Sequence, residues 1–221
     1  MNVKKMEHID VFIVGAGGFA AELTEYIVDN NNNTNKRINI KGYFDINIEN
    51  YKKYDFKAPF LGNEVDYDFK EGSIVLIASG DSNLRKKVVE NLQYKKIKFE
   101  NFIHYSCLIS RTSKIGKGNI ICPNVIIGPN TVIGNFNLIN YKTALPHDCE
   151  VGNLNTFSPN VQITGYCKIG NMNFFGVSSG CTPKTTIGNN NKIQAGVIVA
   201  KKVSDKSIVF SMEKIKSMKL Y

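Results

Sequence analysis

The chain is expected to fold as two units, an α/β domain followed by a parallel β-helix. Two observations predict this. An apolar run, Ile9–Val14, ends in a glycine-rich turn and leads into residues at helical spacing. After residue 100 the apolar period changes to six. Every sixth position from Ile103 to Val199 is apolar, seventeen in all, and eleven of them are isoleucine. With apolar residues at 43% of the chain, chance produces such a run less than about once in a million trials.

In the first half, Ile9–Val14 reads as a buried strand and Phe19–Asp29 as a helix carrying Leu23, Tyr26 and Ile27 inward. The Asn-rich stretch 30–36 reads as a loop. Ile38–Phe44 and Ser73–Ser79 read as further strands, and Asp81 or Ser82 as the cap of a helix running through Asn91. Alternating strands and helices imply a parallel sheet, here with about four strands. The domain, residues 1–100, is half the size of a doubly wound dinucleotide fold, so a mononucleotide suits it better.

In the second half, residues 101–221, each six-residue unit is one short strand plus a corner, and three units close a coil of eighteen. Coils stack at about 4.8 Å. The branched residue points inward, with a small residue two positions before it. Glycine often follows it, as at Gly116, Gly128, Gly134, Gly152, Gly170, Gly176 and Gly188. Together with the many asparagines, these glycines are expected to tolerate positive φ at the corners.

Composition narrows the function. The 21% charged content and the lack of an eighteen-residue apolar run describe a globular chain with no membrane span. Met1–Asp10 shows no secretory apolar region, so the cytoplasm is the expected compartment. The charge of +9 is scattered, without a basic stripe interleaved with aromatics. That favours anionic small molecules over nucleic acid. Five cysteines without a CxxC pair argue against disulfides and against a zinc site, and no metal is expected. Four of them, Cys107, Cys149, Cys167 and Cys181, fall on inward repeat positions.

Candidate site residues follow from position. Gly15, Gly17 and Gly18 lie between strand and helix, where backbone N–H groups can approach a phosphate; a ligand-free tight turn is the alternative. Asp45 ends the second strand as a hydrogen-bond acceptor for a base or ribose, or as a surface turn residue. Gly80 and Asp81 end the third strand at the same edge. Of three histidines, His8 falls in the chain start, expected to be frayed, and His104 at the domain junction. His147 lies two residues after inward Leu145, at an outward corner, followed by Asp148. A histidine suits a general base at neutral pH, and a neighbouring carboxylate can fix its tautomer. Cys149 is inward and a poor nucleophile. Gly165 lies one coil after His147, where an N–H can stabilise an oxyanion.

The repeat resembles left-handed β-helix acyltransferases, an exception to the right-handed crossover rule. With VGAGGFAAE near the start, GYFD in the second strand, the LPHDCEVG segment and the terminal AKKVSDKSIV, the chain over roughly residues 9–210 is similar to a bacterial family. It comprises sugar acetyltransferases related to sialic acid O-acetyltransferase and to N-acetyltransferases of nucleotide-linked amino sugars. The resemblance implies a Rossmann-like domain holding the nucleotide and His147 as catalytic base. It also implies a homotrimer with acetyl-coenzyme A between subunits, near Gly165, Ala195, Gly196, Lys201 and Lys202. Phe19 and Thr156 stand where many members carry histidines that contact substrate, and Ser211-Met212-Glu213-Lys214 replaces their closing G-x-P-A stretch. The leading expectation is acetyl transfer to the amine of a nucleotide-linked 4-amino-4,6-dideoxy sugar, by direct attack on the thioester. The alternatives are sugar O-acetylation and a non-catalytic nucleotide-binding β-helix.

Overall fold

The computed structural model describes residues 7–212; the first six residues lie outside it, as do Glu213 and Lys214 of the divergent terminal stretch. The α/β domain is a three-stranded parallel sheet in the order β2-β1-β3. Its strands are β1 (Glu7–Val14), β2 (Lys36–Phe44) and β3 (Ile74–Ile77). Three strands replace the four expected, because the chain after β2 pairs only through single bridges such as Tyr43–Phe60 and Ile74–Lys98. His8 is part of β1 rather than a frayed start.

Helix α1 (Gly18–Asn33) buries Ala20, Leu23, Ile27 and Asn30. It runs four residues beyond Asp29, through most of the asparagine stretch expected to be a loop. The asparagines have partners that reward helix: Asn31 exchanges two 2.8 Å bonds with the backbone of Ile38, and Asn30 Oδ1 accepts the Tyr105 N–H. A short helix, α2 (Ile48–Lys52), follows β2. Helix α3 (Ser82–Leu92) is capped by Asp81, whose carboxylate accepts from the Asn83 and Leu84 N–H groups. It buries Arg85, Val88 and Leu92.

From Phe102 onward the chain winds as a left-handed three-sided prism of two-residue parallel strands. The first face has seven strands, from Phe102–Ile103 to Ile208–Val209. The second face passes through Leu108–Ile109, Ile126–Ile127 and Ala144–Leu145, thins to bridges at Gln162, and continues through Gly180–Cys181 and Ile198–Val199. The third face has five strands, from Lys114–Ile115 to Thr186–Ile187. The inward column from Ile121 to Val199 is buried, with Phe157 and Phe175 stacked at 4.9 Å. Outward residues Phe102, Ile120 and Leu138 of the first face are buried under α1. Cys122 joins that junction, whereas Cys149, Cys167 and Cys181 lie inside the prism.

The corners correct the expected role of glycine. From Gly118 to Gly196 every sixth residue has φ between 54° and 73°, and twelve of these fourteen are not glycine. They include Phe136, Asp148, Leu154 and Tyr166. The glycines sit elsewhere, for space. Gly116, Gly134, Gly152 and Gly170 form a column whose missing Cβ atoms would lie 2.5–2.7 Å from the next coil's glycine carbonyl.

Asn124, Asn130, Asn160 and Asn190 take positive-φ corner positions as expected, but other asparagines act between coils. They build two ladders at the corner between third and first faces. In the buried ladder, Asn137, Asn155, Asn173 and Asn191 each donate a backbone N–H to the side chain one coil before, at 2.8–2.9 Å. In the outer ladder, Asn135, Asn153 and Asn171 donate to the coil after, at 2.7–2.8 Å. Corner N–H groups that no strand satisfies thus find partners. The final coil is two residues shorter: Ile193 pairs Val209 across sixteen residues.

Gly152→Ala is expected to destabilise the fold by about 2–3 kcal/mol, because neither the Gly170 carbonyl nor the Asn171 amide can yield. Thermal unfolding followed by circular dichroism would read a midpoint several degrees lower.

Candidate active site

The outward corner between second and third faces carries His147 and Asp148. Leu145 and Cys149 are fully buried, so Pro146, His147 and Asp148 between them are turned to the outside. Asp148 occupies the positive-φ position of this corner, at 54°. The next coils place Asn130 before it and Tyr166 after it, each eighteen residues away.

These residues form one network. His147 Nδ1 lies 3.0 Å from Asp148 Oδ2. Asn130 Nδ2 donates to Asp148 Oδ1 at 3.1 Å, and the Tyr166 side chain adds a smaller influence that also favours the ionised carboxylate. These donors, His147 foremost and then Asn130, hold the Asp148 carboxyl below the usual aspartate range. With Nδ1–H donated to Asp148, Nε2 carries the lone pair. The Tyr166 ring meets the imidazole edge-to-face at 5.2 Å.

Two glycines make room for His147. A Cβ on Gly128 would lie 2.6 Å from the His147 backbone nitrogen, and a Cβ on Gly165 would lie 2.4 Å from Cε1 and 2.7 Å from Nε2. The imidazole therefore lies across Gly165, a reason for glycine that stands before any ligand binds. Cys149 points into the prism toward the Thr164 carbonyl at 3.2 Å, and burial pushes its thiol up to about 11. It is not a nucleophile at neutral pH.

The sheet edge of the α/β domain gathers a second group. Gly15 has φ 107°, and a Cβ there would lie 2.6 Å from the Ala78 carbonyl, so β1 and β3 approach closely at this point. Gly17 caps α1 with open space beside it, and Gly18 opens the helix under Tyr54. Asp45 braces the glycine turn: Oδ2 accepts the Ala16 N–H at 3.0 Å, and Oδ1 accepts the Asn47 N–H. Gly80 and Asp81 follow β3, with Asp81 committed to capping α3. Phe19 packs half-buried against the junction core.

Two expected placements need correction. Thr156 is 3% exposed and donates to the Gly80 carbonyl at 2.9 Å. It is a domain contact, because the first face is covered there. Ala195 and Gly196 belong to a different corner, since Gly196 pairs back to Val177 and Ala195 stacks over Gly176. Lys201 and Lys202, not Ala195, fall at the last, shortened turn of the His147 corner, between Val199 and the Val203 bridge to Ile187. Lys201 and Lys202 are both exposed.

A cleft of about 500 Å³ opens between residues Gly80–Asn83 and the outward face of Met172, Phe174, Asn190 and Lys192. It borders the first face, whereas His147 stands at the opposite edge of the third. A single chain does not bring the glycine turn and His147 together. Sequence reasoning passed over Asn130 and Tyr166, although the eighteen-residue spacing on either side of Asp148 marks both. Among the described residues no acidic, cysteine or histidine cluster is placed to hold a metal, and no helix is long and apolar enough to cross a membrane.

Residues 10–92 match the PglD N-terminal domain family. No curated protein matches the chain. Among solved structures, the acetyltransferase domain of PglB from Neisseria gonorrhoeae FA1090 is similar at 20% identity, with a TM-score of 0.75 over 90% of this chain and 95% of that one. A mutant perosamine N-acetyltransferase from Caulobacter crescentus, in complex with CoA and GDP-perosamine, is 22% identical, with a TM-score of 0.77 over 95% and 97%. WeeI from Acinetobacter baumannii AYE is 21% identical, with a TM-score of 0.77 over 92% and 97%. These likenesses establish the shared two-part fold.

The Asp148 carboxylate is ionised, and its bond to His147 present, above its lowered pKa; that bond is lost as pH falls through it. Asn130→Ala removes a donor to the ionised form, so the Asp148 titration should move up toward the ordinary aspartate range. Carbon-detected NMR of the labelled carboxyl would follow it.

Proposed function

We propose that the protein is an acetyl-coenzyme A-dependent N-acetyltransferase acting on the amine of a nucleotide-linked sugar, with a 4-amino-4,6-dideoxy sugar as the favoured acceptor. The observation that carries this reading is the His147–Asp148 pair at an outward corner, with Nε2 free. The bound CoA and GDP-perosamine of the structurally similar Caulobacter enzyme support it.

The chemistry follows from that atom. The acceptor amine attacks the thioester carbonyl, forming the C–N bond, while Nε2 takes the amine proton. The tetrahedral oxyanion needs a donor, and the Gly165 N–H beside the imidazole suits that role. Collapse breaks the C–S bond, and the imidazolium returns its proton to the departing thiolate. Asp148 steadies the charged ring in between. No acyl-enzyme forms, because the neighbouring thiol is buried and protonated.

Assembly completes the site in this reading. The second face exposes Leu108, Ile126 and Ile198 beside small Ala144 and Gly180. The third face instead carries Lys114, Glu150 and Lys168, with a Glu150–Lys168 ion pair at 2.8 Å. Second faces packed around a threefold axis form a homotrimer. The His147 corner, at the edge of that face, then lines a cleft with a neighbouring copy. Coenzyme A would lie along this corner toward Lys201 and Lys202, and the nucleotide against Gly15, Gly17 and Asp45.

His147→Ala should lower kcat/KM by about 10²–10⁴ while acetyl-coenzyme A still binds by calorimetry. Near-normal turnover of amino-sugar nucleotides would defeat the assignment. A matched hydroxyl sugar should be a poor acceptor. Light scattering should give a trimeric mass, and Ile126→Lys should yield monomers without activity.

A further inference from the structure

Arg85 is 2% exposed, on the buried side of α3, and faces no carboxylate within ion-pair distance among the described residues. Its guanidinium instead satisfies backbone carbonyls from both domains. Nη1 donates to Ser79 at 2.8 Å in the turn after β3. Nε donates to Phe136 at 3.0 Å, and Nη2 to Leu154 and Asn155 at 2.9 and 3.0 Å. The last three carbonyls belong to two successive coils at the corner of the prism between third and first faces. Burial draws the guanidinium down to about 10, which still leaves it charged at neutral pH.

Thr156 meets the same turn from the prism side. Its hydroxyl donates to the Gly80 carbonyl at 2.9 Å and lies 3.4 Å from Ser82 Oγ. The turn carrying Gly80 and Asp81 is thus tied to the β-helix at consecutive carbonyls, Ser79 by Arg85 and Gly80 by Thr156. The same turn forms one wall of the cleft that Phe174 and Lys192 close from the other side.

We propose that Arg85 and Thr156 are positioning residues that lock the Gly80–Asp81 turn to the prism. They set the place of the nucleotide-linked acceptor relative to the catalytic corner of the adjacent copy. The pair explains why a charged side chain is buried with no carboxylate at ion-pair distance, Asp81 acting on it only from farther off: only a guanidinium has enough N–H groups, in a planar fork, to bridge four carbonyls from two domains. It also explains why threonine occupies position 156, since its hydroxyl spans the domains where the first face passes under α3. The effect on catalysis rests on the acetyltransferase reading; the lock itself does not.

Two measurements on the full-length assembly test it. Hydrogen exchange of the 79–83 amides in Thr156→Val should quicken by about tenfold, with exchange in the distant coils unchanged. Thr156→Ser should restore protection. In steady-state kinetics, Thr156→Val and Arg85→Lys should each raise KM for the amino-sugar nucleotide by about fivefold or more, with KM for acetyl-coenzyme A within about twofold of the parent. Unchanged exchange in Thr156→Val would overturn the lock, whatever the protein's activity. Faster exchange with an unchanged acceptor KM, or with both KM values raised alike, would overturn its positioning role. An inactive parent protein would instead sink the acetyltransferase reading, and exchange would still report on the lock.

Discussion

The spacing of about 4.8 Å between stacked coils governs this protein. Up to the shortened final coil, paired residues in the prism stand eighteen positions apart, so side chains are chosen in columns. At one corner the third-face glycines leave room only for backbone, since a Cβ would strike the carbonyl above. Beside them the two asparagine ladders supply the hydrogen bonds that two-residue strands cannot. Left-handed φ at each corner costs about 1 kcal/mol or more for an ordinary residue. It is tolerated at Phe136, Leu154 and Tyr166 because the coils on either side hold the chain in place.

The same spacing builds the candidate active site. Asp148 receives Asn130 from the coil before and Tyr166 from the coil after, while its own neighbour His147 supplies the closest donor. The imidazole has nowhere to lie unless Gly165 is bare, and its backbone has nowhere to pass unless Gly128 is. The geometry of this candidate site is thus a local case of the rule that shapes the whole prism, and it sits on stacked coils rather than on a loop.

The α/β domain is joined to this frame by two kinds of contact. Apolar burial of Phe102, Ile120 and Leu138 beneath α1 supplies the adhesion, without much directionality. The carbonyl contacts of Arg85 and Thr156 are directional and fix one orientation. Together they leave a cleft at the first face and the histidine at a distant corner.

The six-residue period in the sequence was sufficient to find the β-helix, the inward column, and the outward place of His147 with Gly165 one coil above it. It was sufficient because the period is set by backbone geometry, which every coil repeats. The three strands and the longer α1 were not legible, because Asn30 and Asn31 owe their helical state to partners at Tyr105 and Ile38. Nor were the crowding that requires the glycine column, the asparagine ladders between coils, the domain contact of Thr156, or the buried place of Arg85. Those depend on which atoms stand one coil or one domain away, and contacts of that kind are decided only when the chain is folded.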